Sequence, residues 1–190
     1  MSGSLVVIGL GGNVGDRLAH LQSAVRGLAE HPGFVFVRAS GVWETEYVGG
    51  GEQAPYLNAC VALQTHLRPA AVLAVCGELE RAAGRAPDTH LLPRTLDLDL
   101  LLHGAFAGVD GPAQVPHPRV RARAFVLEPL AEIVPGLRFP DSGETVAVAC
   151  ANIRRKPGPW LRPRTDLALV PGDRAPGGEV WGAAVAVHRR

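Results

Sequence analysis

The chain has 190 residues, 47% of them apolar and 19% charged, which is the size of one compact domain able to bury a real core. Net charge is +1 but unevenly spread: residues 151–190 hold eight Lys or Arg against three acids, leaving the first 150 residues with 11 basic against 15 acidic, or −4. No run approaches the roughly 18 apolar residues of a membrane span, and MSGSLVVIGLGGN lacks the basic start and long apolar stretch of a signal peptide, so a cytoplasmic chain with no membrane partner is expected.

Leu5 to Leu10 is a short apolar run that enters Gly-rich sequence, the pattern of a buried strand ending in a turn. Asn13 is the expected cap of a first helix, with Asp16 in its first turn. Val14, Leu18, Leu21, Val25 and Leu28 recur at helical steps until Pro32-Gly33. Strands follow over Phe34–Ser40 and Tyr56–Thr65, separated by a fifteen-residue loop, GVWETEYVGGGEQAP, long enough to be a binding loop. Pro69 opens a second helix with the stripe Val72, Cys76, Leu79 and Ala83, ending at Gly84. A strand through RTLDLDLLLHG, a Pro-rich turn VPHPR and an amphipathic helix from about Arg123 to Ile133 complete the readable pattern. The order βαββαβ predicts an α+β, ferredoxin-like core: an antiparallel sheet with helices on one face, plus an additional C-terminal helix.

The Asp-bearing strand is the most informative segment. Asp97 and Asp99 are two apart, so on a strand they share a face with Cα atoms roughly 6.5 Å apart, while Leu96, Leu98 and Leu100 point the other way. Two like charges side by side raise each other's cost of ionisation unless a cation lies between them, and magnesium binds through one or two carboxylates plus substrate phosphates. A solvated strand face is the plain alternative. Tyr56 and Asn58 also share a face, offering a stacking ring and an amide that can read a heterocycle edge. His117, held between two prolines, and Arg119, Arg121 and Arg123 have the composition of a polyphosphate clamp, because Arg presents planar, permanently charged forks. The turn GLGGNVGD has neither phosphate-loop nor dinucleotide-binding spacing. An NADP-binding reductase, with Arg38 on a 2′-phosphate, is therefore only a runner-up, beside a non-catalytic ferredoxin-like ligand-binding module. Three cysteines without C-x-x-C spacing read as buried thiols of a reducing compartment.

The segments GLGGNVGDR, PYLNACVAL, LPRTLDLDLLLHG and VPHPRVRARAFVLEPLAEI resemble, in order and spacing, the signature blocks of 6-hydroxymethyl-7,8-dihydropterin pyrophosphokinases. The likeness runs from about Leu5 to Val148. It implies transfer of diphosphate from ATP to the pterin hydroxymethyl group, with release of AMP, in folate biosynthesis. By the same resemblance Asp97 and Asp99 match ligands of two magnesium ions. Thr45, Tyr56, Asn58 and Phe125 match pterin contacts, the ring being stacked between Tyr56 and Phe125. Glu80, Arg94, His117 and Arg123 match nucleotide and phosphate contacts, and Arg85, with Arg94, matches an arginine that assembles the transition state. The implied partners are small molecules and not nucleic acid; a monomer is compatible with this, and the oligomeric state is left open.

Two departures accompany the resemblance. Leu91-Leu92-Pro93-Arg94 stands where many members have W-G-P-R, the Trp belonging to the lid loop over the pterin, and Pro87 stands where a second basic residue is common. Beyond the pyrophosphokinase domain, taken as 1–150, residues 151–190 are rich in Pro, Gly and Arg. They are expected to be an irregular appendage that can be removed after Arg155 without unfolding the core.

Overall fold

The computed structural model describes residues 3–49, 52–85 and 92–169. The elements in chain order are β1 (Ser4–Gly12), α1 (Arg17–Glu30), β2 (Phe34–Ala39), β3 (Trp43–Thr45), β4 (Tyr56–Thr65), α2 (Pro69–Ala82), β5 (Asp97–His103), β6 (Gly108–Asp110), β7 (Ala113–Val115), a 3₁₀ turn (Val120–Ala122), α3 (Ala124–Ile133), α4 (Val146–Ile153) and β8 (Leu161–Pro163). The sheet runs β5-β1-β4-β3-β8, with β2 also on β4, and its pairings are antiparallel. β1α1β2β4α2β5 is the expected ferredoxin-like core. The fifteen-residue loop contains an unforeseen strand: ten-residue β4 carries β2 beside its second half and three-residue β3 beside its start.

The central strands are apolar on both sides because both sides are covered. Val6, Ile8 and Leu10 of β1 pack with Leu21 and Leu28 of α1, Val72 of α2, and Leu96, Leu98 and Leu100. Val7 and Cys60 face the other way, onto Leu127 and Leu130 of α3 and Val146 of α4. The added helices thus turn a two-layer core into three layers. The β1–β5 register shifts between Val7 and Ile8, a bulge that leaves Leu100, Leu101 and Leu102 all buried and accounts for the unbroken LLL run.

Asp16, not Asn13, caps α1: its carboxylate accepts from the Ala19 N–H at 3.0 Å. Gly15, at φ +69°, makes the extra turn that sets the helix start three residues later than Asn13 and frees that amide for another task. α2 begins at Pro69 as expected.

The tail departs most from expectation. α4 runs across position 150, and β8 extends the sheet at Thr45↔Leu161 and Glu44↔Arg162. Leu169 is 4% exposed in the α1–α2 core, and Gln22 donates to the Ala168 carbonyl at 2.8 Å. Pro-rich composition obscured this because Pro163 is tolerated at an edge strand, where its missing N–H faces no ladder. The Pro/Gly run at 171–178, the lid positions Pro87 and Leu91, and Trp181 lie outside the described residues. No helix among the described residues is long and apolar enough to cross a membrane.

Candidate active site

Three neighbouring strands and one face of the sheet make the site. On β1, Gly11 lies between Asn58 of β4 and Asp97 of β5, and Gly9 lies between Cys60 and Asp99. Paired residues share a face, so the two glycines form a bare floor with the amide and tyrosine row on one side and the carboxylate row on the other. A Cβ on Gly11 would already stand 3.4 Å from Asn58 Oδ1. The resulting cleft, about 170 Å³, is roofed by Phe125 and Val126 from α3 and walled by Thr45 to Val48.

The Gly-rich turn has a second purpose. A Cβ on Gly12 would meet the Thr95 carbonyl oxygen at 2.4 Å, so only glycine lets the segment before β5 come this close. The Asn13 and Val14 N–H groups then donate to the Arg94 carbonyl at 2.9 and 3.2 Å, and Asn13 Oδ1 accepts from the Arg94 N–H at 2.8 Å. Asn13 Nδ2 also reaches Gln53 Oε1 and the Ala54 carbonyl. The Gly-rich turn, which lacks phosphate-loop spacing, is a clamp joining Arg94 to the loop before Tyr56.

Asp97 takes Arg94 Nη1 at 2.6 Å and Arg85 Nη1 at 2.8 Å on one oxygen. Arg85 also pairs with Glu80, whose carboxylate accepts from the Leu98 N–H at 2.7 Å. Asp99 lies 3.8 Å from His117 Nε2 and 3.6 Å from Arg123 Nη1. Burial, then the neighbouring Asp97, raises the Asp99 carboxyl above its ordinary value. Burial likewise raises Glu80 and Tyr56, and lowers His117 and Arg123. His117 Nδ1 accepts from the Arg119 N–H, so the neutral ring carries its proton on Nε2, towards Asp99.

Every residue singled out as a ligand contact is thereby placed. Thr45, Tyr56, Asn58, Arg94, Asp97, Asp99, Arg123 and Phe125 line the cleft. Arg85 joins Glu80 to Asp97, and His117 stands 3.8 Å from Asp99. Arg121 does not join the clamp: the 3₁₀ turn buries Val120 and directs Arg121 to Asp141 and over the Phe139 ring. Arg38 is committed to the Ile133 carbonyl at 3.2 Å, away from any 2′-phosphate role. Sequence reasoning missed Glu46, Tyr47 and Val48 of the wall, Tyr47 stacking with Tyr56 at 6.2 Å between centroids. A loop aromatic nine residues before Tyr56 carries no periodic signal.

Among the described residues that line this cleft, one buried polar side-chain atom is unsatisfied. Asn58, 5% exposed, has its Nδ2 buried with no hydrogen-bond partner. Such a donor costs about 1–3 kcal/mol while unpaired, which a ligand acceptor would recover. The aspartate pair also suits a hard cation. Among the described residues no three His, Cys, Asp or Glu side chains form a preformed metal cage, but magnesium keeps its waters and binds through one or two carboxylates beside phosphates.

The model of the family described as 7,8-dihydro-6-hydroxymethylpterin-pyrophosphokinase matches residues 7–135. A 2-amino-4-hydroxy-6-hydroxymethyldihydropteridine pyrophosphokinase of Methylorubrum extorquens is 42% identical over 146 residues, covering 77% of this chain and 91% of that protein. The protein of the same name from Bacillus subtilis is 39% identical over 130 residues, 68% of this chain and 78% of the relative. Among solved structures, Plasmodium falciparum HPPK-DHPS superposes with a TM-score of 0.62 at 11% identity, over 80% of this chain and 44% of that one, a likeness of fold alone. With the match spanning both carboxylates, the Asn58 strand and the start of α3, the chain belongs to the 7,8-dihydro-6-hydroxymethylpterin pyrophosphokinase family.

Proposed function

We propose that this chain transfers diphosphate from ATP to 6-hydroxymethyl-7,8-dihydropterin, giving the pterin diphosphate and AMP, and so acts in folate biosynthesis. The observation that carries the reading is the orphaned Asn58 amide across two glycines from an aspartate pair: a heterocycle reader and a phosphate-metal site on one sheet face.

In this reading the pterin lies between Tyr56 and Phe125, with its edge on Asn58 and the Thr45 backbone. Stacking fixes the ring plane and the amide fixes its rotation. That aims the hydroxymethyl group across Gly11 towards Asp97 and Asp99. Glu80 contacts the nucleotide, and Arg94, Arg123 and the His117 Nε2–H receive phosphate oxygens. Arg85, released from Asp97 and Glu80, would close over the transferring group. Asp97 and Asp99 would hold magnesium, two ions in our reading, which when bound supplies charge neutralisation on the triphosphate and polarises the attacking hydroxyl. No side chain needs to be a dedicated base, because phosphoryl transfer depends chiefly on positioning and on neutralising charge. The cleft between α3 and the sheet supplies that positioning, with water reduced around Asp99 by burial.

All these groups come from one chain, so a monomer suffices. Cys60, Cys76 and Cys150 are buried free thiols, and burial pushes Cys76 up to about 12, in keeping with a reducing, cytoplasmic setting.

The test is product identity. Incubation with ATP, magnesium and 6-hydroxymethyl-7,8-dihydropterin, with nucleotides separated by chromatography, is expected to yield AMP and pterin diphosphate together. An ordinary kinase would leave ADP, a nucleotidyl transferase would release free diphosphate, and a reductase or binding module would consume no ATP. Pterin-dependent ADP, or a folded protein with no turnover, overturns the proposal.

A further inference from the structure

Strand β3 has two unlike faces. Thr45 shares a side with Tyr56 and lines the cleft, whereas Glu44, one residue earlier, points through to the α1 side and is only 4% exposed. Three guanidinium groups converge on that carboxylate. Arg162 donates from Nη2 at 2.6 Å and Nε at 3.1 Å, Arg164 Nη1 lies at 3.3 Å, and Arg17 Nη1 donates at 3.1 Å. Burial alone would raise the Glu44 carboxyl, but the bonds from Arg162 and Arg17, with Arg164 nearby, outweigh it and hold it below its ordinary value.

The same strap grips the cleft wall directly. Trp160 receives the Glu46 N–H on its carbonyl at 3.4 Å, with Thr45 Oγ1 at 3.1 Å, and its own N–H donates to Glu46 Oε1 at 3.1 Å. The cluster also reaches the far end of the loop, since Arg17 Nη1 donates to the Pro55 carbonyl at 2.7 Å. Entry and exit of the segment between β3 and Tyr56 are therefore tied to one buried carboxylate. A three-residue strand cannot hold such a wall by itself.

We propose that Trp160–Arg164, in the extension beyond the signature blocks, is a positioning strap for the pterin side of the cleft, with Arg162 on Glu44 as its fastening. It acts through Thr45 to Val48 and touches no reacting atom. The carboxylate and arginine side of the cleft is built by β5, α2 and the segment from Val115 to Arg123, none of which pairs with β8. Loss of the strap should therefore weaken the hold on pterin and spare the hold on ATP. The identity of the ligand rests on the pyrophosphokinase reading; the mechanical claim does not.

Two readouts on the full chain separate these. For Arg162→Ala, the pterin KM is expected to rise about tenfold, equivalent to 1.4 kcal/mol, while kcat and the ATP KM stay within about twofold. Arg162→Lys should be intermediate, because an ammonium keeps the charge but not the two-pronged geometry. Without any ligand, hydrogen exchange in Arg162→Ala should quicken at amides 45–48 and not in β1 or β5. If wild type makes no AMP, the pyrophosphokinase reading fails, and the exchange pattern still decides the strap. Unchanged exchange at 45–48 in both Arg162→Ala and the Arg162→Ala/Arg164→Ala double variant overturns the strap. So does quickening throughout the sheet, or an equal rise in both KM values.

Discussion

Asp97 and Asp99 look equivalent along the strand but sit in opposite electrostatic circumstances. Asp97 is matched by Arg94 and Arg85 at 2.6 and 2.8 Å, whereas the charge partners of Asp99 stand at 3.6 Å and beyond and burial raises its carboxyl. A carboxyl raised in the folded state costs stability wherever it is ionised, so removing the Asp99 charge relieves the fold at neutral pH, whereas neutralising Asp97 leaves two guanidinium groups without their partner. Asp99→Asn should therefore keep or raise the melting temperature and Asp97→Asn should lower it, while both abolish pterin-dependent AMP formation. Magnesium-dependent turnover at the wild-type rate in both variants would falsify the assignment. Asn58 permits an independent check. Asn58→Ala should cost about 1–3 kcal/mol of pterin affinity, the value of a buried amide's hydrogen bonds, and leave ATP binding in the absence of pterin unchanged. Calorimetry giving equal losses for both ligands would point instead to a collapsed sheet.

At the scale of elements, β1 is the axis of the site because it is the strand with least side chain. Gly9 and Gly11 make room for ligand between two chemically different rows, and Gly12 admits the backbone of Arg94 and Thr95. Adding one methyl group tests this directly. In Gly12→Ala the new Cβ faces a carbonyl 2.4 Å away that is backbone, so the chain before β5 has to move. A destabilisation of about 1–3 kcal/mol is expected from such overpacking, together with loss of AMP formation as Arg94 shifts off Asp97. Wild-type stability with wild-type turnover would mean that the close approach is incidental. α3 contributes likewise through its placement. Glu132 at its last turn takes the Gly41 N–H at 2.7 Å and Trp43 Nε1 at 2.6 Å, anchoring β3 while Phe125 at its first turn roofs the cleft.

Across the whole molecule, Glu44 joins the start of α1, strand β3 and the C-terminal extension through Arg17, Arg162 and Arg164. Its folded carboxyl titrates below the ordinary 4.5. The contribution is therefore complete above that value and lost as pH falls through the lower folded value. Thermal melts should show Glu44→Gln less stable than wild type at pH 7 by about 1–3 kcal/mol, with the gap closing on acidification below 4.5. A gap independent of pH would assign the loss to packing and not to charge. The same connection reverses the expectation that residues beyond Arg155 are dispensable. A chain ending there lacks β8, Arg162, Arg164 and buried Leu169, and should melt earlier than the full chain.

Hydrophobic period and turn chemistry specified β1, β4, α1 and α2, because each buries a long apolar stripe and all but β4 run into a Gly or Pro. The local two-residue spacing of Asp97 with Asp99 and of Tyr56 with Asn58 placed each pair on one face before any fold was known. What lay beyond local pattern was set by pairing. Strands β3 and β8 are three residues each, too short to show a period, and exist because each borrows its ladder from a neighbour far along the chain. The move of the cap from Asn13 to Asp16 depended on where Arg94 arrives, 81 residues away. Arg121 was indistinguishable by composition from Arg119 and Arg123, and only the turn of the 3₁₀ helix sent it to Asp141. Residue chemistry and period are local and legible in sequence; the meeting of three arginines on a buried Glu44 is a product of sheet register, which only the folded chain decides.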